Sequence, residues 1–290
     1  MKKNKWFLGL TAIGAAVALA ACGGDSSSND GEKLGKINLA YVEWDTEVAS
    51  THVVGQVLEE VGYDVTLTPL DNAIMWESVS KGEADAMVAG WLPATHGAQL
   101  EKYGDNVEHL GENLKGAKIG LVVPSYMEVS SIDDLTVEAS STITGIEAGA
   151  GVMSAAEAAI ADYPNLASWS LLPSSSGAMT VALNQALSNN EEIIVTGWSP
   201  HWKFASYDLK YLEDPKGSFG GEETINTFAR QGLKDDAPDA YTVLDAFEWS
   251  SEDIEEVMLA IHNGQSPKDA ANDWIEKNRD KVDTWIKDVK

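Results

Sequence analysis

Strand-like and helix-like segments alternate along this chain from Lys36 to about residue 196, and this alternation limits the folds that it can adopt. The predicted strands span residues 37–42, 64–68, 84–89, 117–123, 142–146, 168–172 and 193–196, and the predicted helices span residues 46–59, 73–80, 152–161 and 177–187. Alternating strands and helices form open sheets that are covered by helices on both faces. The sequence therefore predicts an α/β protein in which each of two such blocks forms a lobe.

The two lobes are expected to be joined by strands that cross between them near residues 120–124 and 224–229. Lobe 1 then comprises residues 37–121 and 228–290, and lobe 2 comprises residues 122–227. In such an architecture a ligand binds in the cleft between the lobes, at the carboxyl ends of the strands.

The first 22 residues have the pattern of an export signal. Three lysines precede an apolar run over residues 6–20, which is too short for a convincing membrane span. The run ends in Leu19-Ala20-Ala21-Cys22, which resembles the lipobox of bacterial lipoproteins. The pattern predicts a signal peptide over residues 1–21, a diacylglycerol on Cys22, a Gly/Ser-rich tether over residues 22–36 and a location on the outer face of the bacterial cell membrane. The alternative is an ordinary cysteine that follows a chance apolar stretch.

The charge balance excludes several classes of partner. Twenty basic and 46 acidic residues give a formal charge of −26, and loss of the three lysines in the signal peptide would make it −29. Nucleic acids and anionic membrane surfaces attract basic proteins, so neither is an expected partner. The single cysteine excludes an internal disulfide and any cysteine-rich metal cluster.

Three of the ten tryptophans directly follow predicted strands. Trp44 and Trp91 do so in lobe 1, and Trp198 does so in lobe 2. Indole faces attract cations of diffuse charge, above all quaternary ammonium groups, which have no N–H to donate to a carboxylate. The three side chains are therefore candidates for an ammonium-binding cage in the cleft, the alternative being that they are core or interface residues.

A glycine-rich turn follows the predicted strand 142–146. The segment Gly145-Ile146-Glu147-Ala148-Gly149-Ala150-Gly151-Val152 leads into a predicted helix, whose first N–H groups can bind an anion. Taken alone, the segment is most simply a turn that uses glycine for its dihedral angles. Combined with an aromatic cage across the cleft, it predicts a zwitterion with a quaternary nitrogen at one end and a carboxylate at the other.

Together these segments resemble the glycine betaine/proline betaine substrate-binding proteins of ABC transporters. The resemblance extends from about Lys36 to Lys290. It is carried by the glycine-rich segment and by Ile37-Asn38-Leu39-Ala40-Tyr41-Val42-Glu43-Trp44-Asp45, Trp91-Leu92-Pro93-Ala94-Thr95-His96 and Thr196-Gly197-Trp198-Ser199-Pro200-His201-Trp202. It implies a two-lobed periplasmic-binding-protein-like fold of type II, in which each lobe is a sheet flanked by helices.

The resemblance also implies roles for individual residues. The prism of tryptophans around the trimethylammonium group corresponds to Trp44, Trp91 and Trp198. The carboxylate contacts correspond to the backbone N–H groups of Gly151 and Val152 and to the side chain of His96. Some relatives have Asp-Pro where this chain has Glu147-Ala148, and we therefore expect a less rigid loop here.

The expected activity is capture of glycine betaine, or of a related quaternary ammonium osmoprotectant, and its delivery to an ABC importer. The permease and ATPase subunits are expected on separate chains, and the binding protein is expected to be a monomer without catalytic residue, metal or cofactor. Choline, carnitine and proline betaine remain alternative ligands within this class. An enzyme that uses His96 or His201 as a base, with Ser199 or a serine of 174–176 as nucleophile, lacks a recognisable motif. A surface lipoprotein without a transport role is the other alternative.

Overall fold

The computed structural model describes residues 34–290. The predicted signal peptide, Cys22 and the first part of the predicted tether lie outside this range, while Gly35 and Lys36 are already the first residues of a strand. The strands are β1 (Gly35–Tyr41), β2 (Tyr63–Pro69), β3 (Ala86–Leu92), β4 (Val107–Pro124), β5 (Thr142–Thr144), β6 (Ser170–Leu172), β7 (Val195–Ser199), β8 (Leu209–Tyr211) and β9 (Glu223–Arg230). The helices are α1 (Asp45–Val61), α2 (Asn72–Ser80), α3 (Gly97–Tyr103), α4 (Gly151–Asp162), α5 (Ser176–Asn189), α6 (Trp202–Ser206), α7 (Leu233–Asp236), α8 (Pro238–Ala246), α9 (Ser251–His262), α10 (Pro267–Lys277) and α11 (Arg279–Ile286).

The strands form a mixed sheet in the order β2-β1-β3-β9-β4-β7-β5-β6, with β8 paired to β4. The pairs β1–β2, β1–β3, β5–β6 and β5–β7 are parallel, as alternating βα units require. Strand β9 is antiparallel to both of its neighbours, β3 and β4. The result is an α/β fold of two lobes, in which each lobe is built on its own part of the sheet.

The long strand β4 belongs to both lobes. Up to Ala117 it pairs with β9, and from Lys118 onward it pairs with β7 and β8. Strand β9 lies entirely beside β3 and the first part of β4, so residues 224–229 form a central strand of lobe 1 and not the return crossing that we expected. The lobe boundaries predicted at 121/122 and 227/228 lie a few residues beyond these changes of pairing, and stay a prediction.

Helix α1 begins at Asp45, directly after the extended Trp44. Asp45 and Glu47 lie in its first turn, where negative side chains interact favourably with the helix dipole. Thr46 is already helical and does not cap the helix, and its hydroxyl donates to the Glu47 carboxylate. Gly62 ends the helix with a φ of 117°, because glycine adopts the left-handed region at little cost.

The last four helices cover lobe 1, and three tryptophans pack together among them. Trp274 stacks on Trp285 with ring centroids 5.9 Å apart and meets Trp249 edge-on at 5.6 Å. All three are buried and belong to the hydrophobic core of lobe 1. Within residues 34–290, no helix has the length and apolar character required to cross a bilayer.

Candidate functional site

The structure brings the three candidate cage tryptophans together around one cavity. All three are buried: Trp44 is 7 % exposed, Trp91 is 3 % exposed and Trp198 is 4 % exposed. The empty volume among the lining side chains, including its opening to solvent, is about 300 Å³. The lining residues are Trp44, Thr46, Glu47, Trp91, Thr95, Ile119, Ile146, Ala150, Gly151, Val152 and Trp198.

Trp44 alone follows its strand, because it lies between β1 and α1. Trp91 and Trp198 were expected just after strands but lie inside β3 and β7. Both strands continue past their predicted ends because Trp91 is paired with Ile225 and Trp198 with Ile119 of antiparallel neighbours. The cavity therefore has two walls of sheet, one from each lobe.

The start of α4 supplies the backbone groups that were expected to bind a carboxylate. Gly151 and Val152 are the first residues of this helix, and both line the cavity. Their N–H groups have no hydrogen-bond acceptor among the described residues. A Cβ atom on Gly151 would lie 2.3 Å from the carbonyl oxygen of Thr95, which is a residue of the other lobe. Glycine at this position therefore permits the two lobes to approach.

The structure does not place His96 among the residues that line the cavity. It is fully buried, its Nδ1 accepts the backbone N–H of Trp91 at 3.0 Å, and its ring stacks on Trp44 with centroids 6.2 Å apart. Burial lowers the pKa of His96 to about 4, so the ring is neutral near pH 7. With Nδ1 as acceptor, the neutral ring has its proton on Nε2, which is directed at the backbone of Ala89 without forming a hydrogen bond of good geometry. The role of His96 as a carboxylate contact stays a prediction.

Glu47 is a site residue that the sequence reasoning missed. Its carboxylate lines the cavity and accepts hydrogen bonds from the Trp91 indole, at 2.7 Å, and from the Thr46 hydroxyl. Burial raises the pKa of Glu47 to about 7, although these two hydrogen bonds oppose the shift. A signal was present, because Glu47 lies in the first turn of the helix that begins directly after the cage candidate Trp44.

Asp45 connects the two lobes at the edge of the site. Its Oδ1 accepts the indole N–H of Trp202 at 2.7 Å, and its Oδ2 accepts the Ser176 hydroxyl at 3.1 Å. Burial alone would raise the pKa of Asp45, but contacts with His201, Trp202 and Ser176 hold it well below its usual range. The side chain of Trp202 in turn stacks on His262 of α9, with centroids 3.5 Å apart. These contacts hold the lobes in a closed arrangement.

The histidines and serines of the rival enzyme hypothesis do not form a nucleophile–base pair. Ser199 shares a hydrogen bond with the Tyr211 hydroxyl, and Ser176 donates to Asp45. The buried His201 accepts the N–H of Lys203 through Nδ1, and burial lowers its pKa to about 4. In the described residues, no group of three or more histidine, cysteine and acidic side chains could hold a metal ion.

The fold and the cavity define a two-lobed, periplasmic-binding-protein-like protein, and comparisons with known proteins identify its family. Residues 35–277 match the OpuAC family, the substrate binding domain of the ABC-type glycine betaine transport system, and the chain belongs to this family. The family consists of solute-binding transport proteins that act outside the cytoplasm, and it is not a class of enzymes. The predicted resemblance and the predicted fold class are thereby confirmed.

Two solved structures and one sequence relative describe the similarity. Lactococcal OpuAC, in its closed-liganded conformation complexed with glycine betaine, is 56 % identical with a TM-score of 0.85, over 88 % of this chain and 100 % of that chain. An ABC-transporter choline binding protein in complex with choline is 25 % identical with a TM-score of 0.82, over 88 % of this chain and 92 % of that chain. The glycine betaine/carnitine transport binding protein GbuC of Listeria monocytogenes serotype 1/2a (strain 10403S) is 49 % identical over 157 residues, which are 54 % of this chain and 52 % of that protein. The matched region thus spans about half the length of this curated relative.

Proposed function

We propose that this protein captures glycine betaine outside the cytoplasm and delivers it to the permease and ATPase subunits of an ABC importer. The observation that carries the proposal is the convergence of three indoles, from three separate elements and both lobes, on one cavity of about 300 Å³. We name Trp44, Trp91 and Trp198 the tryptophan cage. Each desolvated cation–π contact contributes up to about 2 kcal/mol, so the cage can supply a large part of the roughly 8 kcal/mol that micromolar affinity requires.

The other end of the ligand has complementary partners. The free N–H groups of Gly151 and Val152 lie at the N-terminus of α4, where backbone donors and the helix dipole favour a carboxylate. His96 is the third expected contact for this group, although in the present arrangement its ring lies against Trp44 and outside the cavity lining. Cage and helix start lie on the same cavity, as recognition of a zwitterion requires.

Capture proceeds through closure of the lobes around the ligand. Trp44 and Trp91 belong to one lobe, and Trp198 and Gly151 to the other, so only the closed form offers all the contacts at once. A ligand that binds the closed form better shifts the population toward it. The closed form is then the species that the permease recognises.

The proposal is tested by a calorimetric and thermal-shift panel of methylammonium compounds with and without a carboxylate. We expect glycine betaine to bind and to raise the melting temperature. Trp198→Ala is expected to weaken this binding at least about tenfold, because it removes one wall of the cage. Tyr126→Ala serves as a control, because Tyr126 is an exposed aromatic residue outside the cavity. Wild-type affinity in the Trp198 variant would contradict the assignment.

Choline is the second candidate ligand, and one observation favours it. Glu47 adds an acidic group to the cavity wall, which suits a ligand of net positive charge. Carnitine and proline betaine carry the same type of head group and belong in the same panel. The choline hydroxyl can accept a hydrogen bond at the start of α4 but carries no negative charge, so the ratio of betaine to choline affinity separates the two hypotheses.

Attachment to the membrane through a diacylglycerol on Cys22 is part of the same proposal. The lipobox-like segment Leu19-Ala20-Ala21-Cys22 supports it, and two acyl chains on one residue are sufficient for stable anchoring. Fractionation of cells that express the full chain tests it. We expect the wild-type protein in the membrane fraction. In Cys22→Ser the diacylglycerol has no thiol to attach to, and we expect the lipid-modified protein to be absent from that fraction.

A further inference from the structure

Glu47 occupies an unusual position for a carboxylate. It lies in the first turn of α1, is only 1 % exposed, and is the one acidic side chain among the described residues that line the cavity. It shares the lining with Trp44 and Trp91, two members of the tryptophan cage. A carboxylate at the wall of an aromatic cavity is costly to bury, and its retention there calls for a physical reason.

The carboxylate is held in place, but its charge has no partner within the protein. The indole N–H of Trp91 and the hydroxyl of Thr46 donate to it, and these neutral donors fix its orientation. Within residues 34–290, no lysine, arginine or histidine forms an ion pair with Glu47. A buried carboxylate without a cation is stabilised when a positive group enters the same low-dielectric space.

We propose that Glu47 is the counter-charge for the ammonium group of the ligand, and thereby the residue that selects a quaternary ammonium over an uncharged group of the same shape. This inference rests on the proposed function. Three indoles surround any compact methylated group, because dispersion and apolar burial act on a trimethylammonium and a tert-butyl group alike. The anionic carboxylate adds a term that depends on charge alone.

Glu47 also positions the tryptophan cage. Its Oε1 accepts the Trp91 indole N–H at 2.7 Å and so restrains the ring plane. Glutamine keeps this acceptor oxygen and nearly the same volume while it removes the charge. The substitution Glu47→Gln therefore separates the counter-charge from the positioning role.

The test is calorimetric titration of wild type and Glu47→Gln with three probes. Glycine betaine carries the ammonium and the carboxylate, 3,3-dimethylbutanoate replaces the ammonium nitrogen by carbon, and tetramethylammonium is the head group without a tail. We expect the ratio of betaine affinity to 3,3-dimethylbutanoate affinity to fall at least about tenfold in the variant, with a similar loss for tetramethylammonium. An unchanged ratio overturns the proposal and leaves Glu47 as a positioning residue only. This includes the case in which the affinities for glycine betaine and 3,3-dimethylbutanoate fall by the same factor.

Two controls complete the experiment. Glu43→Gln makes the same chemical change at an exposed position four residues earlier, and is expected to leave all three affinities unchanged. Thermal unfolding of Glu47→Gln without ligand verifies that the variant is folded. If the wild-type protein binds tetramethylammonium but not glycine betaine, the proposed function is contradicted. The role of Glu47 is then still decided by comparing the tetramethylammonium affinities of wild type and Glu47→Gln.

Discussion

Between the two lobes, the indole N–H of Trp44 donates a hydrogen bond to Oε2 of Glu147 at a distance of 3.1 Å. Trp44 belongs to lobe 1 and Glu147 to the glycine-rich loop of lobe 2. The other oxygen of Glu147 accepts the backbone N–H of Ser176 at 3.1 Å, which ties the loop to the start of α5. We expected the Glu147-Ala148 pair to leave this loop less rigid, but the Glu147 side chain anchors it at two points. One wall of the tryptophan cage is therefore oriented by a residue of the opposite lobe.

The contact between Trp44 and Glu147 is expected to contribute to ligand affinity, because it forms only when the lobes meet. Glu147→Ala and Trp44→Phe each remove the hydrogen bond, and Trp44→Phe keeps an aromatic face. A double-mutant cycle on betaine affinity should give a coupling energy of about 1 kcal/mol. Glu157→Ala, at an exposed position on α4, is the control. Strict additivity of the two losses would show that the hydrogen bond does not act in binding.

Asp45 is expected to stabilise the closed form through its bonds to Trp202 and Ser176 of the other lobe. Asp45→Asn keeps the size but removes the charge that strengthens both hydrogen bonds, and hydrogen bonds to charged groups contribute about 1.5–3 kcal/mol each. We expect betaine affinity to fall at least about fivefold, with a larger radius of gyration for the free protein in small-angle scattering. Asp105→Asn, at an exposed turn, should change neither quantity.

Gly151 should tolerate no side chain in the closed form. In Gly151→Ala the added methyl group would meet the Thr95 carbonyl oxygen, which belongs to backbone and cannot rotate away. We expect betaine binding to weaken at least about tenfold while the melting temperature of the free protein changes little, because the clash arises only when the lobes are closed. Gly177→Ala is the matched control, since a Cβ atom there has no neighbour within 4 Å. Normal binding by Gly151→Ala would contradict the closed geometry.

The affinity for a permanently charged probe should decrease with decreasing pH. Burial raises the pKa of Glu47 to about 7, with a smaller contribution from the charge of Asp45, so Glu47 loses its negative charge below that pH. Burial lowers the pKa of Lys203 to about 7, and its Nζ, 4.3 Å from the ring centre of Trp198, gains a positive charge over the same range. Both changes disfavour a bound cation. His96 and His201 have pKa values lowered to about 4 by burial and stay neutral throughout.

Titration of tetramethylammonium between about pH 8 and about pH 5 measures this effect, and Glu47 alone should lower the affinity by up to about tenfold per unit below its pKa. In Glu47→Gln the affinity should depend less steeply on pH, because only the protonation of Lys203 still changes the charge near the cavity. Lys203→Met should likewise be shallower than wild type. A flat profile in the wild-type protein would contradict the assigned charge states.

The sequence predicted those parts of the structure in which hydrophobic periodicity is regular. Strands β1 to β3 and helix α1 lie within a few residues of their predicted positions, and the cage tryptophans were found because strand ends form clefts in α/β sheets. The first half of β4 was missed. It contains Gly111 and Gly116 with positive φ, and its pairing with β9 shifts register three times, so its side chains do not alternate regularly.

The polar part of the site was less accessible to sequence reasoning. Asp45 and Glu47 read as ordinary acidic residues in a helix start, because their partners are far away along the chain. Asp45 contacts Trp202, and Trp44 contacts Glu147, and only the folded topology brings these positions together. His96 was identified from a resemblance, and its bond to the Trp91 backbone could not be read from residue spacing.

The central place of β9 in the sheet of lobe 1 also has a consequence for the order in which the chain can fold. Strand β9 lies between β3 and β4, yet β4 ends at Pro124 and β9 begins only at Glu223. A chain that emerges from its amino end must therefore keep the facing edges of β3 and β4 unpaired until the whole of lobe 2 has followed. Such long-range pairing slows folding and exposes strand edges to aggregation. The ligand-binding cleft is consequently among the last parts of this protein to form, because two members of its tryptophan cage depend on the lobe that is completed last.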